Sequence, residues 1–207
     1  MRSGIVSSVV IAGLAVSLSA QAPEGWKVRV DRSQSAQDPD DRPDLAFMSM
    51  GGGLHVVGGP AGTFWKPDTR ATGNFTLKGT FVLNKPSSHT NYYGLVVGGS
   101  DLEGAAQSYV YFVVAQNGTY LIRQRAGDAV SDVQARVAHD AVQRPDSAGR
   151  SSNALEVRVA GDTVTFVING TVVHTAPKSS VKTDGLAGFR VNHQLDVLVQ
   201  GFEVSGS

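Results

Sequence analysis

The segment that most constrains the fold of this chain runs from Asn153 to Thr175 and reads NALEVRVAGDTVTFVINGTVVHT. Apolar and polar residues alternate on both sides of Gly161-Asp162, and the alternation continues up to Asn169-Gly170. Alternation with a period of two places every second side chain on one face of a strand, and Asn-Gly supplies the two positive φ angles that a type I′ turn needs. The segment therefore predicts three consecutive antiparallel strands joined by tight turns.

Similar signals continue along most of the chain from Leu45 to Val204. Short apolar or alternating segments, such as Asn74–Leu83 and Tyr109–Ala115, are separated by Gly, Asn and Pro, and no long segment has a clear helical period. We therefore predict an all-β chain of about 12 to 14 strands with little helix, folded as a two-sheet antiparallel sandwich or as a barrel.

A second hairpin is predicted in the middle of the chain, where Asn117-Gly118 turns one apolar segment back on the next. Treated as a two-residue turn, this pair places Phe112 opposite Arg123 and puts Arg125 on the same face as both. Two arginines are hard to bury without partners. We therefore predict that the face with Phe112, Arg123 and Arg125 is the solvent-exposed one.

The amino-terminal residues predict export. Arg2 precedes an apolar run from Ile5 to Leu18, and small residues lead to Ala20-Gln21-Ala22, which is the pattern of a secretion signal. The run is shorter than the ~20 apolar residues of a membrane span. We predict a signal peptide at 1–22, a polar segment at 23–44 and the folded domain at 45–207, in a secreted or periplasmic protein with no transmembrane anchor.

The composition argues against several classes of function. The chain has 18 basic and 18 acidic side chains and no basic patch, so nucleic acid is not a predicted partner. It has no cysteine, which excludes disulfides and thiolate metal sites. The acidic cluster Asp38, Asp40, Asp41 and Asp44 could hold a structural calcium ion, but its spacing is not that of an EF-hand. We predict a solvated loop there and assign no cofactor.

Several runs of the chain resemble a known superfamily. The run VRVAGDTVTFVINGTVV, followed by GLAGFRV and LDVLVQGFEV, looks like the carboxy-terminal half of the concanavalin A-like lectin and glucanase jelly rolls, which include laminin-G domains. FTLKGTFVLN and YYGLVVGG fit the opening strands of that fold. Within this superfamily the chain resembles exported bacterial 3-keto-disaccharide hydrolase-like domains of unknown function. The resemblance implies a jelly roll of two curved antiparallel sheets, with a sugar site on the concave face or at its rim.

The loop from Gly98 to Gly104 supplies the candidate catalytic residues. It joins two predicted central strands, and a loop in that position can overhang the face of a sheet. Asp101 and Glu103 in this loop could act as acid and base, because glycosidases place two carboxyl groups on either side of a sugar. The paired-glutamate strand that glucanases of this superfamily carry is absent from the sequence.

The candidate substrate-binding residues come from the aromatic middle of the chain and from the ends of its central strands. Aromatic faces stack on sugar rings, and polar side chains at strand ends can line the rim of a site. The predicted set consists of His89, Asn91, Tyr92, Gln107, Phe112, Arg123 and Arg125. The five histidines form no zinc-binding pattern, so no metal ligands are predicted.

These observations lead to three hypotheses about function. The first is a secreted jelly-roll module that binds carbohydrate. The second is a glycosidase-type hydrolase or a lyase that acts on a di- or polysaccharide, and the third is a structural or protein-binding domain of the laminin-G type. The absence of the paired-glutamate strand favours binding over hydrolysis, and the sequence leaves open whether the protein is an enzyme.

Overall fold

A computed structural model describes residues 22–35 and 37–206 of the chain. Nearly all of the predicted signal peptide, residues 1–21, lies outside these ranges. Within them, fourteen strands and two short 3-10 turns form two seven-stranded antiparallel sheets. The prediction of an all-β jelly-roll sandwich is confirmed. No helix in the described ranges is long and apolar enough to cross a bilayer.

The strands vary from five to eleven residues in length. In chain order they are β1 (Lys27–Asp31), β2 (Ala46–Met50), β3 (Gly53–Val57), β4 (Ala61–Ala71), β5 (Phe75–Lys85), β6 (Tyr92–Ser100), β7 (Ser108–Ala115), β8 (Thr119–Ala126), β9 (Ala129–Ala138), β10 (Ser151–Ala160), β11 (Thr163–Ile168), β12 (Thr171–Pro177), β13 (Gly185–Val191) and β14 (Asp196–Ser205). Sheet A has the order β1-β4-β13-β6-β7-β8-β9, and sheet B has the order β12-β11-β10-β5-β14-β3-β2.

The three strands predicted from the segment Asn153–Thr175 are β10, β11 and β12 at one edge of sheet B. Asn169 has φ +49° and Gly170 has φ +81°, as a type I′ turn requires. The ladder places Arg158 opposite Thr165 on the outer side of the sheet. The same alternation buries Val157 and Phe166, so the local pattern and the global packing agree.

The hairpin of β7 and β8 has a register that differs by one residue from the predicted one. Gln116, Asn117 and Gly118 form a three-residue loop, in which the Gly118 N–H donates to the Ala115 carbonyl over 3.0 Å and only Gly118 has a positive φ. This is the geometry of a type I turn followed by a left-handed glycine, and it adds one residue to the loop. Tyr111 therefore pairs with Arg123, and Phe112 pairs with Ile122.

Because successive side chains of a strand point to opposite faces, the shift of one residue places Phe112 and Arg123 on opposite faces of the sheet. Phe112 therefore lies in the core and not on the predicted solvent-exposed face. Phe112 is 1% exposed, and its ring lies 5.3 Å from that of Phe166 in sheet B, edge to face. It cannot contact a ligand on the surface, and the assignment of Phe112 as a substrate-binding residue is corrected. Arg123 does face outward, as predicted, but its neighbour across the hairpin is Tyr111.

The core lies between the two sheets and is built from aligned apolar positions. In sheet A, one cross-strand row joins Phe64, Phe189, Leu95, Phe112 and Ile122. All five are buried, and the rings of Phe64 and Phe189 stack with centroids 4.8 Å apart. Because these inward positions alternate with outward ones, the register of the core row also fixes which residues reach the outer face of sheet A.

The polar segment at 23–44 packs against the sandwich. It contains β1, which pairs with β4 at the edge of sheet A. A 3-10 turn at Pro39–Asp41 follows, and the Gln194 side-chain amide donates to the Pro39 carbonyl over 2.8 Å. The acidic residues of this segment have separate partners: Asp44 pairs with Arg32, and Asp41 accepts from the backbone of Ser33. Within the described ranges, no three His, Asp or Glu side chains are arranged to hold a metal ion.

Candidate functional site

The outer face of sheet A carries a set of interacting arginine, tyrosine and aspartate side chains. Residues paired directly across strands share a face, so the pairs Arg29–Thr63 and Thr63–Arg190 place both arginines on the outer side. The pair Tyr111–Arg123 continues the same side on β7 and β8. We call this surface the Arg–Tyr face, which consists of Arg29, Asp31, Tyr109, Tyr111, Arg123 and Arg190.

Arg190 is the most buried charged group of the Arg–Tyr face, with a side chain that is 12% exposed. Its Nη1 donates to Asp31 Oδ2 over 2.7 Å and to Thr63 Oγ1 over 2.9 Å, and its Nε donates to Asn192 Oδ1 over 3.0 Å. The hydroxyl of Tyr109 lies 3.4 Å from Nη1. These contacts hold the guanidinium group in one orientation.

Asp31 connects Arg190 to a second arginine. The Nε atom of Arg29 donates to Asp31 Oδ1 over 3.1 Å, while Arg190 occupies the other carboxylate oxygen. One carboxylate therefore lies between two guanidinium groups, one on β1 and one on β13, the strands on either side of β4. Burial would raise the pKa of Asp31, but the guanidinium groups of Arg190 and Arg29 outweigh it and hold that pKa below its usual value.

The pKa of Asp31 predicts a pH dependence of stability. A carboxylate with a lowered pKa in the folded state stabilises the fold above its unfolded pKa of about 4, and this contribution is lost as pH falls through the folded pKa. We expect Asp31→Asn to lower the free energy of unfolding at pH 6 and to have a smaller effect at pH 2 to 3. Urea titrations of both proteins at each pH measure the difference, and an effect that does not change with pH contradicts the prediction.

Tyr111 and Arg123 form the more exposed half of the Arg–Tyr face. The Nε atom of Arg123 donates to Asp132 Oδ1 of β9 over 2.6 Å, and both side chains of this ion pair are about two-fifths exposed. Burial raises the pKa of the Tyr111 phenol, so this hydroxyl stays neutral at physiological pH. The rings of Tyr109 and Tyr111 lie 5.7 Å apart, and Tyr109 is fully buried while Tyr111 is half-buried.

The connection between β6 and β7 folds over one end of the Arg–Tyr face. Leu102 of this loop packs against Trp65, Val96 and Tyr109 in a second, smaller hydrophobic cluster on the outer side of sheet A. Arg29 fixes the loop from the other side, because its Nη1 donates to the carbonyl of Gly104 over 2.8 Å. The loop thus forms a wall at one end of the face, and Arg29 links that wall to Asp31.

The two candidate catalytic acids lie in this loop and already have partners. Asp101 has φ +49°, and its carboxylate accepts from the backbone N–H of Ala106 over 3.1 Å, which shapes the loop. Glu103 forms an ion pair with Lys27 of β1. Both acids border a surface cavity of about 220 Å³ that Trp65 and Lys27 also line. The structure brings them together beside the Arg–Tyr face rather than on it.

The predicted rim residues His89, Asn91 and Tyr92 lie at the opposite end of sheet A. Asn91 is buried and donates to the Oγ of Ser87 over 3.0 Å, so it stabilises its own loop. His89 contacts Asp40 of the amino-terminal segment at 3.3 Å. Tyr92 is half-buried and belongs to the same outer side as Gly94, which pairs with Arg190.

Gln107 and Arg125, the remaining predicted binding residues, meet near the turn between β8 and β9. Gln107 is buried, and its backbone carbonyl accepts from the Gly127 N–H over 2.7 Å. Arg125 donates to the carbonyl of Gly127 over 3.2 Å and lies opposite Tyr109 on the outer side of sheet A. Arg125 therefore borders the Arg–Tyr face, while Gln107 supports the turn beneath it.

Sequence reasoning missed Arg29, Asp31 and Arg190, which form the centre of the face. The signal for Arg190 was present in GLAGFRV, where a single charged residue follows an apolar run that the fold buries. A charge in such a strand needs a partner, but the partner, Asp31, is 159 residues away in the chain.

Comparisons with known proteins support the fold. No protein-family model and no curated protein sequence matches the chain. Among solved structures, it is similar to the carbohydrate-binding module CBM66 from Bacillus subtilis, with a TM-score of 0.63, 13% identity and coverage of 88% of this chain and 96% of the module.

Two further structures extend the comparison. A protein of unknown function with a galectin-like fold from Bacillus subtilis matches with a TM-score of 0.56 and 15% identity over 86% of this chain and 88% of its own. An endo-β-1,3-glucanase from Pyrococcus furiosus matches with a TM-score of 0.52 and 9% identity over 74% of each chain. The chain therefore has the galectin-like and concanavalin A-like jelly-roll fold, which confirms the resemblance seen in the sequence.

Proposed function

We propose that the protein is a carbohydrate-binding jelly-roll module and that the Arg–Tyr face is its binding surface. The observation that carries this proposal is the fixed guanidinium group of Arg190, which lies beside Asp31 and Tyr109 on an outer sheet face. Holding a guanidinium group this deeply costs desolvation energy even when a carboxylate pairs with it, and a fixed donor of this kind is suited to binding the hydroxyl groups of a sugar.

The chemistry of the face suits a sugar. Sugar hydroxyls both donate and accept, so they can bind guanidinium donors and a carboxylate acceptor at the same time. Arg123 and Asp132 present such a pair near the surface, and Tyr111 adds a half-exposed aromatic ring that can stack on the apolar side of a sugar ring. The fold shared with the carbohydrate-binding module from Bacillus subtilis supports the same assignment.

Binding is preferred over hydrolysis because of how the acids of the β6–β7 loop are engaged. Glycosidases need one carboxyl group free to donate a proton and a second free to attack or to activate water. The carboxylate of Asp101 accepts a backbone hydrogen bond within its own loop, and that of Glu103 pairs with Lys27. We expect no release of reducing sugar when the protein is incubated with the saccharides that it binds.

Replacing Arg123 or Tyr111 with alanine should weaken glycan binding by about tenfold or more, since loss of one good polar or stacking contact corresponds to about 1.4 kcal/mol. Binding is measured on a broad glycan array and then by calorimetry with the glycan that binds most tightly. Circular dichroism at the assay temperature verifies that each variant is folded.

Arg158→Ala is the matched control. Arg158 forms a comparable exposed ion pair with Glu156, with Nη2 and Oε2 2.7 Å apart, but on the outer side of sheet B. Its replacement should leave glycan binding unchanged. If the intact protein binds no glycan, or if Arg158→Ala weakens binding as much as Arg123→Ala, the proposed site is wrong.

A further inference from the structure

We propose that the saccharide bound by the Arg–Tyr face is anionic, with a carboxylate or sulfate group that contacts the guanidinium of Arg190. This inference rests on the proposed function and specifies the chemical class of its ligand. It follows from the balance of charge at the centre of the face and from the hydrogen-bond donors that remain free there.

The group formed by Arg29, Asp31 and Arg190 has an excess of positive charge. Two guanidinium groups share one carboxylate, and all three side chains are between 12% and 27% exposed. A net charge in a partly buried position has a desolvation cost that the backbone carbonyls around Arg29 offset only in part, because they carry no opposite charge. The negative charge of an anionic ligand would offset this desolvation cost by neutralising the excess positive charge.

The other ion pairs among residues 22–35 and 37–206 each join one basic and one acidic side chain, which makes this group different. Arg158 pairs with Glu156, and Arg123 pairs with Asp132. The sequence as a whole has 18 basic and 18 acidic side chains, so the local excess does not reflect a generally basic protein. The excess of charge is a property of this part of the sheet A surface.

The donors of Arg190 point to where the anion would bind. Nε and Nη1 are occupied by Asn192, Asp31 and Thr63, whereas no described residue accepts a hydrogen bond from Nη2. A guanidinium group that is fixed by four partners, these three and Tyr109, and still has Nη2 free is pre-organised for an oxyanion, and hydrogen bonds between two charged groups are the strongest of their kind.

Arg125 of β8 is a second arginine on the outer side of sheet A that forms no ion pair with a carboxylate of the described residues. Arg125 faces the same side as Tyr109, whose hydroxyl lies 3.4 Å from Arg190 Nη1. No carboxylate of the described residues lies within 4 Å of Arg125, and its Nη1 donates to the backbone carbonyl of Gly127. Arg190 and Arg125 thus flank Tyr109, and an acidic saccharide that extends along the face would meet both.

The test uses pairs of polysaccharides that differ only in charge. Polygalacturonate is compared with its fully methyl-esterified form, and dextran sulfate with dextran, by calorimetry or affinity electrophoresis at 50 and 300 mM NaCl. We expect at least one charged member to bind tenfold or more tightly than its neutral counterpart, with affinity falling as salt rises. The two pairs distinguish a carboxylate from a sulfate as the preferred anion.

Variants locate the anion. Arg190→Gln and Arg125→Gln should each reduce binding of the charged polysaccharide at least fivefold and change binding of the neutral one much less. Arg158→Gln on sheet B should have no effect. Because Arg190 is buried and its replacement can prevent folding, Arg125→Gln and the paired ligands keep the test decisive.

The outcomes separate the two proposals. Equal affinity for the charged and neutral members of both pairs overturns the anionic specificity and leaves carbohydrate binding in place. A charged polysaccharide whose binding depends on Arg158 and not on Arg125 or Arg190 also overturns it. If neither these polysaccharides nor any member of the glycan array binds, the proposed function fails together with this inference.

Discussion

Replacing Phe112 with alanine is expected to lower the free energy of unfolding by about 3 to 5 kcal/mol, the usual cost of removing a buried phenylalanine ring. Phe112 lies in the cross-strand row between Leu95 and Ile122, and its ring meets those of Tyr120 and Phe166 edge to face. Urea denaturation monitored by tryptophan fluorescence measures the change.

The neighbouring residue provides the control for this prediction. Tyr111 points to the outer side of sheet A and is half-buried, so Tyr111→Ala should cost about 1 to 2 kcal/mol. The two variants differ by one position in the chain and by which face of the sheet they occupy. If Tyr111→Ala destabilised the protein more than Phe112→Ala, the register of β7 and β8 would be incorrect.

Asn153→Ala is expected to lower the free energy of unfolding by about 2 to 4 kcal/mol, because it leaves several buried polar groups without partners. Asn153 is fully buried. Its Nδ2 donates to the Tyr93 hydroxyl over 3.2 Å and to the Gln143 carbonyl over 3.1 Å, while its Oδ1 accepts from the Gln143 N–H over 2.8 Å. Asn169 also donates to Oδ1 over 3.0 Å, so one amide joins four hydrogen bonds.

Ser152→Ala tests whether the effect comes from this network. Ser152 precedes Asn153 on β10 and is exposed on the outer side of sheet B. Its replacement should change stability by less than about 0.5 kcal/mol. Thermal and urea denaturation of both variants give the comparison, and a loss below about 1 kcal/mol for Asn153→Ala would show that the network contributes little.

Much of the fold could be predicted because its signals are local. Alternation along β10 and β11 and the Asn169-Gly170 turn lie within one short segment, and the residues that alternate there are the ones that pack. Similar short-range patterns gave the number of strands and the two-sheet arrangement. None of these inferences depended on knowing which distant strands become neighbours.

The register of β7 and β8 could not be predicted because an Asn-Gly pair is compatible with two loops. At Asn169-Gly170 both residues have positive φ, whereas at Asn117-Gly118 only the glycine does. The choice between a two-residue and a three-residue loop depends on how the flanking strands twist and pack. That choice decided whether Phe112 faced solvent or the core.

The centre of the Arg–Tyr face could not be predicted because it forms only when distant strands meet. Arg29 and Asp31 come from β1, and Arg190 comes from β13. The two strands do not pair with each other but lie on either side of β4. No pattern within a window of the sequence reports a contact of that kind. The outward orientation of Arg123 was predicted because its signal, an arginine in an apolar hairpin, is local.

The position of β1 at the edge of sheet A has a consequence for how the site comes into being. The strand that supplies Asp31 is the first in the described chain, and the strand that supplies Arg190 is the last but one. During synthesis, therefore, Asp31 is made before any other strand of the sandwich, and Arg190 is made only when nearly all of the strands are complete. The group formed by Arg29, Asp31 and Arg190 can therefore be completed only after β13 has been made.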